Sequence, residues 1–329
     1  MPKVATADIH LLSERALARH GAALPVAAEM ARAITWAEAR DNRICGLYYL
    51  ESYCLQLRSG RVDGAAQVRV TQPRASEVRI DAAHGFAQPA FAQGLAQAVA
   101  AAEQTGITLI GIHNAHTCTA LGYFTEQIAR AGCIGLGFTN ASPIVAAPGG
   151  KTRVLGTNPM SFAVPDGAGG LAMLFDQSTT TTALGRITMA KAAGQPIPPG
   201  WAVDCHGKPT TDPEAALAGS LTSSGGYKGW GLGLMVEILA ACLTGGTLSA
   251  DVKPLKAPQG APHDLGQTFV LIHAGSEGIY DRIARLAEIV SQDDGARMPG
   301  RHKHPATHVD VPEDLWRQIR DLSGSDAPA

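Results

Sequence analysis

The apolar positions of this chain change their period several times, and each change marks an element. From about Asp8 to Leu57 they recur at helical spacing. Leu11, Leu12, Ala16 and Leu17 share one face, Gly21 supplies a stop and Pro25 a fresh start. Gly60-Arg61-Val62-Asp63-Gly64 has the composition of a turn. After it the period falls to two in Val68-Arg69-Val70 and Val78-Arg79-Ile80, which predicts two short strands. Ala90 to Thr105 reads as an Ala-rich helix and Ile107 to Ile112 as an apolar strand. Leu121 to Ala131 then reads as a helix and Ile134 to Phe138 as a strand, so the alternation predicts a βαβ unit within an α/β core. Asn140 to Pro165 is dense in Gly, Pro, Ser and Asn and reads as a long loop, a length that usually carries function. A strand from Leu171 to Phe175 runs into Asp176. A helix opening near Lys228, a strand from Thr268 to Ile272 and a helix from Pro312 to Leu322 complete the pattern.

Composition narrows the class. A chain of 329 residues exceeds one ordinary core, which predicts two lobes or one large α/β unit. The net charge is −2 and no long basic run occurs, so neither a nucleic-acid footprint nor an anionic-membrane partner is expected. The longest apolar stretch, Trp230 to Leu243, carries Glu237 and is too short to cross a bilayer. Met1 to Asp8 lacks the apolar centre of a signal peptide. Six cysteines (Cys45, Cys54, Cys118, Cys133, Cys205 and Cys242) show no C-x-x-C pair. Reduced thiols and a cytoplasmic location are the expectation.

Candidate chemistry gathers in a few segments. No G-x-G-x-x-G follows a strand and no phosphate-binding G-x-x-x-x-G-K-[ST] occurs, so a nucleotide cofactor would have to be held another way. Gly225-Gly226-Tyr227-Lys228-Gly229-Trp230-Gly231 stands directly before an apolar helix. Glycines there allow close backbone approach to an anion, helix-start N–H groups point at it, and Lys228 adds a full charge. A tight turn with a solvated Lys is the plain alternative. Asn140-Ala141-Ser142-Pro143 and Gly156-Thr157-Asn158-Pro159, with Pro148-Gly149-Gly150 between them, offer neutral donors and acceptors suited to an amide or carboxylate. His113 and His116 follow the strand ending at Ile112, where open α/β sheets place ligands and proton donors. A structural role explains either one equally well, and no carboxylate or cysteine array nearby completes a metal site, so no metal is expected. His302, His304 and His308 alternate with Arg301 and Lys303, a pattern that repels cations and suits phosphate or a solvated loop.

Taken in order, these segments resemble the malate/L-lactate dehydrogenase family, whose fold is distinct from the Rossmann lactate dehydrogenases. Leu243-Thr244-Gly245-Gly246 and Arg297-Met298-Pro299-Gly300 belong to the same match, together with Gly60–Gly64 and the Asn140, Gly156 and Gly225 segments. Within the family, Gly85-Phe86-Ala87-Gln88-Pro89-Ala90 is similar to the branch that reduces Δ1-piperideine-2-carboxylate and Δ1-pyrroline-2-carboxylate to L-pipecolate and L-proline.

The resemblance implies an α/β protein with a central cofactor-binding lobe and a second lobe built from both chain ends. Residues 1–105 and 276–329 would form the second lobe and residues 106–275 the first. It implies NADPH or NADH as cofactor, an imino- or keto-acid substrate and a homodimer with the active site near the subunit contact. Asn140, Asp176, Gln177, Ser178, Tyr227, Lys228, Arg297, Gly300, Arg301, His302 and Lys303 fall on cofactor segments. Thr157 matches a substrate-contacting threonine, with Asn158 beside it, and His116 a histidine of the active-site cleft.

Three positions depart from the family. The Ser-His pair expected before Gly46 is Ile44-Cys45, the arginine expected four residues after that histidine is Tyr49, and a substrate-facing histidine is Leu184. Cys45, Tyr49 and His116 are therefore the candidates for the missing proton donor. A protonated imine needs less help from an acid than a ketone does, which favours the imine. A 2-hydroxyacid dehydrogenase, or a relative that binds cofactor without turnover, are the alternatives.

Overall fold

The computed structural model describes residues 1–275, 278–300 and 305–325. The N-terminal third contains strand β1 (Lys3–Ala5), then helices α1 (Thr6–Arg19), α2 (Leu24–Glu38) and α3 (Leu50–Ser59). Strands β2 (Arg69–Arg74) and β3 (Glu77–Asp81) lead into α4 (Ala87–Thr105), β4 (Ile107–Ala115), α5 (Gly122–Arg130) and β5 (Cys133–Thr139). The middle continues with β6 (Val145–Ala146), β7 (Arg153–Leu155), β8 (Met160–Pro165), β9 (Leu171–Gln177) and α6 (Leu184–Ala192). Short strands β10 (Ala202–Val203), β11 (Pro209–Thr210) and β12 (Ser220–Leu221) flank α7 (Pro213–Ala218). Helix α8 (Tyr227–Glu237) runs into a π-helical turn at Ile238–Cys242, followed by β13 (Leu265–His273) and α9 (Ile279–Val290). Strand β14 (His308–Asp310) and helix α10 (Glu313–Ser323) finish the chain.

The main sheet has seven strands in the order β2-β3-β4-β13-β5-β8-β9. Helix α4 makes a parallel crossover between β3 and β4. The expected βαβ unit from β4 through α5 to β5 has an intruder. β13, from far along the sequence, lies between the two strands and is antiparallel to both. A sheet with helix-covered faces needs apolar residues on both sides of its central strands. Phe269 and Leu271 of β13 accordingly share a core with Ile110 and Ile112 of β4 and with Phe91 and Phe124 from the helices. The segment expected to be one long loop, Asn140 to Pro165, carries strands β6 to β8. Its Gly and Pro residues mark the turns between them. Helices α6, α7 and α9 escaped the periodicity reading. In α6 only Ile187 is buried, whereas α9 carries apolar residues at helical spacing (Ile279, Ile283, Leu286 and Val290) yet buries only Ala287.

The two ends of the chain meet. β1 pairs with β14, and Val311 and Ile319 enter the same core as Ile9, Leu17, Met30 and Tyr53. The expected boundary between residues 105 and 106 falls inside the main sheet, because β3 pairs with β4 across it. A third small core lies under the five-stranded sheet β11-β10-β12-β6-β7 and includes Ile187, Leu221 and Trp230.

Phe269 stacks on Phe124 with ring centroids 5.1 Å apart and meets Phe91 edge-on at 4.9 Å. Phe269→Ala removes a fully buried ring from the central strand. Urea unfolding should show a loss of about 3–5 kcal/mol with an unchanged slope.

Candidate active site

Three segments remote in sequence are stitched together at the end of β9. The Thr179 N–H donates to the Thr157 carbonyl at 3.0 Å, and the Thr179 hydroxyl donates to the same oxygen at 3.1 Å. The Thr179 carbonyl accepts the Ser224 N–H at 2.9 Å. Thr157, the Asp176-Gln177-Ser178 strand end and the glycine turn before α8 therefore line one region. Gly225 and Gly226 hold φ of 65° and 63°, left-handed values that glycine adopts without steric cost. At Gly229 a Cβ would overlap the Ser224 carbonyl. The turn is thus tight, and it leaves Tyr227 and Lys228 exposed at the start of an eleven-residue helix.

Helix-start N–H groups, a lysine and two permissive glycines form a cradle for an anion, which fits the pyrophosphate of a nicotinamide dinucleotide. On the other side of β9 the Leu174 N–H donates to the Pro299 carbonyl at 2.9 Å. A Cβ on Gly300 would come within 2.7 Å of the Leu174 carbonyl, so this segment lies flat along the strand leading to Asp176. Arg297 is exposed there. Arg301, His302 and Lys303 lie outside the described residues.

Asn140 and Asn158 are fully buried, and their amides are spent within the fold. Asn158 donates to the Gly233 carbonyl at 3.1 Å and to Glu237 Oε2 at 2.8 Å, and it accepts from the Ser249 hydroxyl at 3.3 Å. Asn140 donates to the Thr247 carbonyl at 2.8 Å and accepts the Gly266 N–H at 3.3 Å. Both side chains brace the strands behind the site.

A second cluster faces this region from the turn between α2 and α3. Glu38, buried beneath the turn, accepts the Leu47 N–H at 2.7 Å, and Gly46 has no room for a Cβ against that carboxylate. Burial raises the Glu38 pKa. The turn presents Ile44, Cys45, Tyr48 and Tyr49. The Ile44 Cδ1 lies 3.5 Å from where a Cβ on Gly185 would stand, which places Ile44 beside the start of α6 and Leu184. Burial, with Asp176 and Cys118 nearby, pushes the Cys45 thiol up to about 12. Burial and the neighbouring Cys45 push the Tyr49 phenol up to about 12 as well. Both groups are neutral at physiological pH. Burial also raises Asp176 to about 6, opposed by the Gly122 N–H that its Oδ2 accepts at 2.7 Å. It is mostly ionised at neutral pH.

His116 is fully buried and donates through Nε2 to Gln56 Oε1, 2.9 Å away. Its ring stacks on His263 with centroids 4.6 Å apart, and His263 Nε2 accepts from the Arg61 guanidinium at 2.8 Å. The Gln56 and Arg61 bonds assign one tautomer to each ring. Burial, then His263, then Arg61 hold the His116 pKa well below its usual value. Burial and Arg61 lower His263 to about 4. His116 is therefore a neutral ring locked in a buried stack. His113 lies elsewhere, paired in register with Asp81 on the neighbouring strand. Among the described residues no group of three His, Cys, Asp or Glu is placed to hold a metal.

Sequence reading missed Gln56, Arg61, His263 and Lys256. Arg61 lies in the Gly60–Gly64 turn, where the neighbouring charged Asp63 is exposed, so the turn composition did not distinguish the buried Arg61. The others sit in segments without a recognisable pattern.

A family model for malate/L-lactate dehydrogenases matches residues 4–320, and the chain belongs to that family of oxidoreductases. It is 36% identical over 297 residues to a (2R)-3-sulfolactate dehydrogenase (NADP(+)) from Chromohalobacter salexigens, covering 88% of this chain and 89% of that protein. It is 35% identical over 332 residues to a Δ1-pyrroline-2-carboxylate reductase from Ancylobacter novellus, covering 97% of each. The crystal structure of Δ1-piperideine-2-carboxylate reductase from Pseudomonas syringae superposes with a TM-score of 0.87 at 30% identity, over 98% of this chain and all of that one.

The stacked histidines make stability depend on pH in a definite direction. Their folded pKa values lie below the unfolded value of about 6.5, so the unfolded chain binds more protons between about pH 6.5 and 4. Stability is full above that window and falls as pH drops through it, by about 3 kcal/mol for His263 alone. Urea midpoints taken across the window should fall steeply for the wild type and less steeply for His263→Gln. Equal slopes would mean that the ring is not held neutral.

Proposed function

We propose that this chain is an NAD(P)H-dependent reductase of cyclic ketimine carboxylates, converting Δ1-pyrroline-2-carboxylate or Δ1-piperideine-2-carboxylate to L-proline or L-pipecolate. The observation that carries this reading is that none of the three candidates for the missing proton donor is a strong acid. Cys45 and Tyr49 titrate near 12, and His116 is neutral and enclosed. Reduction of a keto acid leaves an alkoxide that must be protonated, which calls for an imidazolium or its equivalent. Hydride addition to a protonated C=N bond moves the π pair onto a nitrogen that already carries its proton. The product amine then needs nothing further from the protein.

The bound nicotinamide supplies the hydride. The glycine turn, Lys228 and the strand end at Gln177 and Ser178 hold the cofactor, with the segment from Arg297 to Gly300 alongside. Thr157, tied through its carbonyl to Thr179, faces the substrate from the cofactor side. Asp176, ionised above about pH 6 and close to Cys45, favours the cationic form of the imine. Ile44, Cys45 and Leu184 present an apolar wall to the methylene groups of the ring.

A 2-hydroxyacid dehydrogenase is the second reading, and the sulfolactate dehydrogenase at 36% identity favours it. Purified protein is incubated with NADPH or NADH and each of the two imines, pyruvate and oxaloacetate, and cofactor oxidation is followed by absorbance. Turnover confined to the imines is the expected result. Turnover confined to the keto acids would overturn the proposal, and silence with all four, despite cofactor binding, would indicate a binding protein.

One exposed face supports a reading of the assembly. Leu232, Leu234, Met235 and Ile238 are exposed along α8 and its π turn, with Leu243 just beyond. An apolar surface of this kind is characteristic of an interface, and it begins at the candidate cofactor residues Tyr227 and Lys228. A homodimer using this helix is proposed, with a cytoplasmic location in keeping with six free thiols. No described helix is long and apolar enough to cross a membrane. Light scattering after size exclusion should give a dimer for the wild type and a monomer for Ile238→Glu. A monomeric wild type would refute the interface.

A further inference from the structure

A substrate carboxylate needs a cation, and position 49, beside Cys45, is a tyrosine. The neighbouring arginines are engaged. Arg40 is paired with Glu126, Arg43 with Asp41, and the buried Arg61 with backbone carbonyls and His263. Lys256 differs. Its Nζ stands 3.3 Å above the centre of the Tyr48 ring and 5.2 Å from that of Tyr49. The side chain is half-buried and has no carboxylate partner among the described residues. An ammonium on an aromatic face leaves N–H donors free on its opposite side.

The position of that ammonium is built. Gln56 donates to the carbonyls on both sides of Lys256, Leu255 at 2.7 Å and Ala257 at 2.9 Å. Arg61 donates to the carbonyls of Pro254 and Ala261 at 3.2 Å and also to that of Ala257. Gln56 is in turn fixed by His116, and Arg61 by His263. Four buried polar side chains thus immobilise one loop, and the residue at its centre points a cation at the Tyr48-Tyr49 edge of the candidate site. A solvated surface lysine needs no such support.

We propose that Lys256 is the anchor for the substrate carboxylate, and that Gln56, Arg61, His116 and His263 are positioning residues acting through its loop. With Asp176 near Cys45, the site then offers a cation to the carboxylate and an anion to the iminium. A zwitterionic iminium carboxylate matches that pair. The inference rests on the ketimine reading for its substrate but not for the anion site itself.

The test uses Lys256→Met and Lys256→Arg in the full-length protein. With Δ1-piperideine-2-carboxylate, Lys256→Met should raise KM about 10- to 100-fold, with kcat changed far less and the KM for NADPH unchanged. Lys256→Arg should recover most of the loss. The preference for this substrate over Δ1-piperideine, which lacks the carboxylate, should collapse in Lys256→Met, a change that a merely structural role would not produce. An unchanged KM, or a preference that survives the substitution, overturns the inference.

If the wild type reduces neither imine, the ketimine reading has failed, and binding then tests Lys256 alone. Wild type should bind pyrrole-2-carboxylate more tightly than pyrrole in calorimetry, and Lys256→Met should bind the two alike. Equal affinity of wild type and variant for pyrrole-2-carboxylate overturns the anchor.

Discussion

The constraint on which most of this structure depends is the insertion of β13 between β4 and β5. Those two strands run parallel and would pair with each other in a simple doubly wound sheet. Here a later strand satisfies the inner backbone groups of both, and Phe269 and Leu271 fill the core on one face. A central strand needs a path into the sheet. The path used by β13 is the loop from Pro254 to Asp264, which runs beneath α3 and past the end of β4. Gln56 and Arg61 catch that loop by its carbonyls, and His116 and His263 stack in the space between. The sheet topology and the bracing of the candidate site therefore have one origin.

That bracing changes how the histidines are understood. A histidine at the end of a strand invites an acid–base role, yet His116 gives its N–H to Gln56 and its face to His263. Removing two imidazoles from water with no anionic partner, and with the Arg61 cation beside His263, holds them neutral, and neutrality lets them stack without repulsion. The energy is directed to loop position. In the proposed site, neutral Cys45 lies near Asp176 and neutral Tyr49 near Lys256.

Ile44 and Leu184 show how substitutions in one place become coherent. They come from distant parts of the chain and meet where α6 begins. Where the family resemblance implies polar residues, this chain carries two apolar side chains, and both are exposed. Under the proposed function, they suit an apolar ring and a substrate that brings its own proton.

Much of this was legible in the sequence. The helical stripes of α1 and α2, the alternating β2 and β3, the apolar β4 and β5 and the glycine turn before α8 follow from periodicity and turn chemistry, both local properties of the chain. The ordered set of motifs identified the family for the same reason, since backbone turns that need glycine or proline leave their mark in place. What the sequence could not contain was the meeting of residues far apart. The arrival of β13 between β4 and β5, the burial of His116, the spending of the Asn140 and Asn158 amides inside the fold and the clamp on Lys256 all depend on contacts between distant segments. Burial, pKa and charge pairing are properties of surroundings, and only the tertiary structure supplied them.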